Sequence, residues 1–102
     1  MQPLAREDLD NIYDYYKEKK KSLQAAGNVV NDILDEIENL PDYLSVISLQ
    51  PIYKAKGVDL FSVVASKRKN YKVIFFVAQN MINIVSIWDC RQSPDKMKEI
   101  LR

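Results

Sequence analysis

Lys54 and Lys56 stand two residues apart, Arg68 and Arg91 follow along the chain, and these cations are the side chains best suited to chemistry. On an extended segment, residues two apart share a face, and the neighbouring Gly57 lets backbone approach closely. Attack of a neighbouring hydroxyl on a phosphodiester needs a base for its proton, a cation for the charge that develops on phosphate, and an acid for the leaving oxygen. Lysines crowded by other cations have lowered pKa values and can exchange protons, while Arg68 and Arg91 can bind phosphate. The simpler reading of Lys54 and Lys56 is solvated loop charge. The chain has no histidine, which excludes Ser-His, Cys-His and His-based acid/base arrangements and leaves zinc only carboxylates and the single thiol of Cys90. Nothing in the sequence calls for a metal or a cofactor.

The elements that must position these cations fit in one domain, residues 1–102. With 47% hydrophobic and 28% charged residues the chain reads as soluble and globular, and no apolar run approaches the roughly 18 residues of a membrane span. A lone Cys90 and an N-terminus without a signal-type apolar stretch imply a reducing, cytoplasmic setting. The near-neutral total of +1 conceals a dipole. Residues 1–50 carry five cations against ten carboxylates, net −5, and residues 51–102 carry ten against four, net +6. The second half suits an anionic or acidic partner, unless its lysines are ordinary solvated charge.

Ala5, Leu9, Ile12, Tyr13 and Tyr16 recur at helical spacing and predict a helix over residues 5–21. A second helix is expected from about Ser22, which can cap free N–H groups, through Ala26, Val30, Ile33 and Ile37 to Pro41. The short joint between them makes an antiparallel helical hairpin. After Pro41 the period becomes extended, and four strands are expected at Tyr43–Leu49, Val58–Ala65, Tyr71–Ala78 and Met81–Trp88. Gln79-Asn80 is a tight-turn joint and Ser66–Asn70 a longer basic turn, and after Pro94 a short helix is expected over Asp95–Leu101. The fold class is therefore α+β, a helical hairpin packed on a four-stranded, mainly antiparallel sheet with a short C-terminal helix.

This order of elements resembles the RelE/ParE superfamily, the small toxins of type II toxin–antitoxin systems, closer to its ParE-like branch. The first-helix pattern Leu4-Ala5, Asp8-Leu9, Ile12-Tyr13 and Tyr16 carries the resemblance, together with Gly57-Val58, the strand Tyr71-Lys72-Val73-Ile74-Phe75-Phe76, the strand Ile82 to Ile87, and the exit Arg91-Gln92-Ser93-Pro94. Family members begin with a β-strand for which Met1-Gln2-Pro3 leaves no room. That implies either a shortened start or a sheet edge left open to a partner strand, such as an antitoxin tail.

The resemblance implies a plasmid-stabilisation-type toxin that inhibits growth and is neutralised by a cognate antitoxin. As a ParE-like toxin it would bind its target, DNA gyrase in ParE-like members, without catalysis. Trp88, Arg91, Lys96, Lys98 and Arg102 are then the expected target or partner contacts. Trp88 reads more readily as a core plug at the end of the last strand, and Arg91 reads as exposed unless it pairs with Asp89 or a helix carboxylate. As a RelE-like protein it would cleave mRNA on the ribosome with Lys54, Lys56, Arg68 and Arg91. RelE-like nucleases commonly carry an Arg on the strand after the glycine and a Tyr or His near the C-terminus. Here that strand reads Val58-Asp59-Leu60-Phe61, and no Tyr or His follows Arg91. A non-toxic adaptor on the same fold is a third reading. Cys90 beside Arg91 reads either as a thiol of lowered pKa or as inert packing. Of the tyrosines, Tyr15 and Tyr53 fall outside the apolar patterns.

Overall fold

Pro3 opens the first helix, α1 (Pro3–Glu18), where its fixed φ suits the helix and its missing N–H would go unpaired in any case. The computed structural model describes residues 1–19, 21–44, 52–55, 57–65, 68–92 and 96. Lys19 closes α1 by donating its N–H to the Tyr15 carbonyl at 2.8 Å, and Lys21 turns into the left-handed region at φ 53°. Ser22 then caps α2 (Leu23–Leu44), its Oγ accepting the Ala25 N–H at 3.1 Å. The serine acts as its residue type predicts. The second helix does not stop at Pro41 but runs on to Leu44. Proline there forfeits one ladder donor, toward the Ile37 carbonyl, a loss that falls in the last turn. Tyr43 and Leu44 are thus helical, not the start of a strand, and the rest of that expected strand lies outside the described residues.

Three long strands build the antiparallel sheet: β2 (Val58–Ala65), β3 (Arg68–Ala78) and β4 (Met81–Asp89). A three-residue strand, β1 (Tyr53–Ala55), pairs antiparallel along the outer side of β2, giving the order β1-β2-β3-β4. Gly57 turns β1 into β2 at φ +80°, a conformation L side chains rarely adopt. Gln79 and Asn80 turn β3 into β4 with φ 54° and 61°, the paired left-handed geometry of a two-residue hairpin. The expected basic turn is shorter than its composition implies. Ala65 pairs with Arg68, and after a register shift Val64 pairs with Lys72, so Arg68, Lys69 and Asn70 belong to β3. The expected C-terminal helix lies outside the described residues.

Alternation along β3 sends Tyr71, Val73 and Phe75 into the main core with Ala5 and Ile12 of α1 and Val29, Ile33 and Leu40 of α2. Ile74 and Phe76 go to the opposite face, beside Leu60 and Trp88. In β4 a bulge interrupts the alternation: Ser86 pairs with Ile74 and Ile84 with Phe75, leaving Val85 as the extra residue. A bulge shifts side-chain parity by one. Ile82 and Ile84 before it and Ile87 after it therefore all reach the helix-covered core. Along the outer edge of β4, the Gln2 N–H donates to the Ile84 carbonyl at 2.8 Å and the Asp8 carboxylate accepts the Ile87 N–H at 2.9 Å. The start of α1 thus meets edge groups that otherwise invite a further strand. Among the described residues no helix is long and apolar enough to cross a membrane.

Candidate functional site

Where β4 ends, Asp89 stands directly opposite Tyr71 of β3, and the chain leaves the sheet through Cys90 and Arg91. Because the bulge lies upstream, Asp89 shares the face of Ile87, toward α1. From α1, Asp8, Ile12 and Tyr15 present one side at spacings of four and three. A cavity of about 220 Å³ lies between these elements, floored by Ile12 and Ile87 and walled by Asp8, Asn11, Tyr15, Tyr71, Asp89 and Arg91.

Arg91 is held from several directions. Its Nε donates to Asp89 Oδ1 at 2.9 Å and its Nη2 to Oδ2 at 2.8 Å, and its own N–H donates to Oδ1 at 2.9 Å. This is the two-pronged geometry that a guanidinium, unlike an ammonium, forms with a carboxylate. The guanidinium carbon lies 5.8 Å from the Tyr15 ring centre and 6.0 Å from that of Tyr71, within cation–π range. Nη2 also reaches the Tyr71 hydroxyl at 3.4 Å.

The charges respond accordingly. Hydrogen bonding from Arg91 holds the Asp89 carboxyl below the usual range, and the same bond raises the Arg91 pKa. Burial, with a hydrogen bond to Tyr16, drives the Tyr71 phenol well above its ordinary value. Arg91 and Tyr71 both hold their protons more firmly than the free side chains do. Asp8 differs from Asp89. Burial raises its pKa, although Ser86 Oγ at 2.6 Å and the Ile87 N–H both donate to its Oδ2. Among the described residues no cation pairs with it. The Cys90 thiol is also pushed up by burial, with Lys72 only partly opposing, which speaks against the reading of a thiol of lowered pKa.

Of the expected phosphodiester-handling set, Lys54 and Arg91 lie far apart. Lys54 sits on β1 opposite Asp59, 3.7 Å from its carboxylate, near the end of the sheet formed by the Gly57 turn. Arg91 leaves the other end, past the last pair of β4. Across the order β1-β2-β3-β4 the two outer strands are three spacings apart, about 14 Å, before the offset along the strands is added. The backbone of Arg68 starts β3, toward the Arg91 end. Lys56, Lys98 and Arg102 lie outside the described residues, and Lys96 is exposed. Trp88 is 5% exposed and packs with Leu60 and Ile74, as a core plug does.

Sequence reasoning singled out Arg91, its partner Asp89 and the free Tyr15, but not Tyr71 or Asp8 as members of a site. One signal was available: Asp8 falls a turn before Ile12, beside the apolar stripe, where an unpaired carboxylate needs a partner. Among the described residues no three Cys, Asp or Glu side chains gather as a metal site. Against known families, the family model described as the ParE toxin of the type II toxin–antitoxin system parDE matches residues 1–94. No curated protein and no solved structure matches.

Proposed function

Because the chain belongs to the ParE toxin family of type II toxin–antitoxin systems, we propose that it arrests growth by binding its target without chemistry, the target being DNA gyrase as in ParE-like members. Family membership also implies a cognate antitoxin, which on this reading neutralises the toxin in the cytoplasm.

Binding is favoured over RNA cleavage by one observation, the separation of Lys54 from Arg91 at opposite edges and opposite ends of the sheet. Strand cleavage needs its base, acid and phosphate-binding cation around one phosphodiester. Here Arg91 is engaged by Asp89 and Lys54 lies beside Asp59. The half-exposed Arg91 and the exposed Lys96 mark the chain's exit from β4 as the target-binding region on this reading.

Induced expression tests it. The expected result is growth arrest with gyrase-linked DNA breaks, relieved by the co-expressed neighbouring open reading frame and weakened by Arg91→Ala. Arrest with ribosome-dependent mRNA cuts that disappear in Lys54→Ala/Lys56→Ala would replace binding by cleavage. Unchanged growth, with no complex formed by the neighbouring protein, would leave a non-toxic adaptor.

A further inference from the structure

Asp8 is a half-buried carboxylate whose hydrogen bonds all come from neutral donors, Ser86 Oγ and the Ile87 N–H, and both arrive at one oxygen, Oδ2. It lines the cavity whose opposite wall already demonstrates how a cation is held there: Arg91 lies over Tyr15 and Tyr71 and is gripped by Asp89. Among the described residues, the carboxylates of Asp8 and Asp89 against the guanidinium of Arg91 leave a formal charge of −1 on these walls. Tyr15 is 38% exposed and offers ring surface to an incoming group, and Asn11 at the rim is exposed.

We propose that this cavity between α1 and the end of β4 receives a basic side chain, an arginine or lysine, of a partner protein, seated against Tyr15 with Asp8 as its counter-charge. About 220 Å³ of space admits one such side chain, and aromatic surface beside a carboxylate is the environment in which cations bind. An anionic ligand is disfavoured because Arg91, the only cation on the walls among the described residues, is occupied by Asp89 while Asp8 would repel it. The burial that raises the Asp8 pKa is the cost of a buried carboxylate without a cation, and an incoming cation offsets it. The inference goes beyond the toxin reading and holds whether or not the chain arrests growth.

The test is a titration of the isolated chain at pH 7 with N-acetyl-arginine amide, followed by the aromatic NMR resonances of Tyr15 and Tyr71, with N-acetyl-glutamate amide as the anionic control. The expected result is saturable shifts with the arginine probe alone. Asp8→Asn keeps an oxygen that accepts both hydrogen bonds while removing the charge, and should weaken binding about tenfold, the equivalent of about 1.4 kcal/mol. Tyr15→Leu, at an exposed position, should weaken it as well, with circular dichroism confirming the fold of both variants. Three outcomes would overturn the proposal: no saturation with the arginine probe, equal or stronger binding of the glutamate probe, or unchanged affinity in folded Asp8→Asn. None of them depends on toxicity, so failure here and failure of the toxin reading are separable.

Discussion

Two aspartate–cation pairs stand at opposite ends of the sheet, and only one of them belongs to a built site. Lys54 and Asp59 face each other across β1 and β2 at 3.7 Å, with side chains 66% and 50% exposed. Arg91 and Asp89 meet at 2.8 Å through a forked contact, with two tyrosine rings beside the guanidinium and Asp89 only 24% exposed. An ammonium in open solvent gains little from one contact because water and salt screen it. A planar guanidinium stacked on rings and chelated by a carboxylate is fixed in place. Charge type alone does not make a site; the surroundings that hold the charge do.

The contrast breaks most easily at Tyr71, which is 2% exposed and shared between the core and the Arg91 cluster. Tyr71→Ala should cost about 3–5 kcal/mol of unfolding free energy in denaturant titrations, whereas Tyr71→Phe, which keeps the ring, should cost about 1. Asp8 comes next. Asp8→Ala leaves Ser86 Oγ and the Ile87 N–H without an acceptor and should cost about 1–3 kcal/mol, while Asp8→Asn should stay within about 0.5 kcal/mol of the parent at pH 7.

Arg91→Ala should cost about 1 kcal/mol, through lost packing on the tyrosines as much as lost charge. Acid titration sharpens the point because the two aspartates of the site have opposite signs. The depressed Asp89 pKa contributes stability above the unfolded value of about 3.9, which is lost as pH falls through the folded value. The raised Asp8 pKa contributes stability below about 3.9, which is lost as pH rises through the folded value. Stability measured against pH should therefore lose its acid-side fall in Asp89→Asn and its opposing slope in Asp8→Asn. The smallest effect belongs to the other end of the sheet. Lys54→Ala should change stability by less than about 0.5 kcal/mol, and a larger change would erase the contrast between the two pairs.

Much of this was legible in the residues. The stripe from Ala5 to Tyr16, Ser22 as a cap, the runs of β2, β3 and β4, and the Gln79-Asn80 turn all follow from local rules, because each element's own side chains and backbone decide it. Pro41 misled because its local penalty can be absorbed in a last helical turn. Arg68 to Asn70 misled because basic composition reads as a turn, whereas the chain stays extended as the start of β3, with Arg68 opposite Ala65 across a register shift.

The sequence by itself determined the α+β order, the missing histidine and the gathering of positive charge in the second half, since composition and periodicity are properties of the chain alone. The site was decided by tertiary structure. Strict alternation along β4 would place Ile87 and Asp89 on the face opposite Ile82 and Ile84. The extra residue at Val85 moves them to the helix side, where Asp89 meets Tyr71 and Arg91, and sends Trp88 to the other face. A single unpaired residue reverses the side-chain parity of everything after it. Its position depends on how β3 and β4 register against each other and on Asp8 taking the Ile87 N–H, relations between distant residues that no local pattern contains.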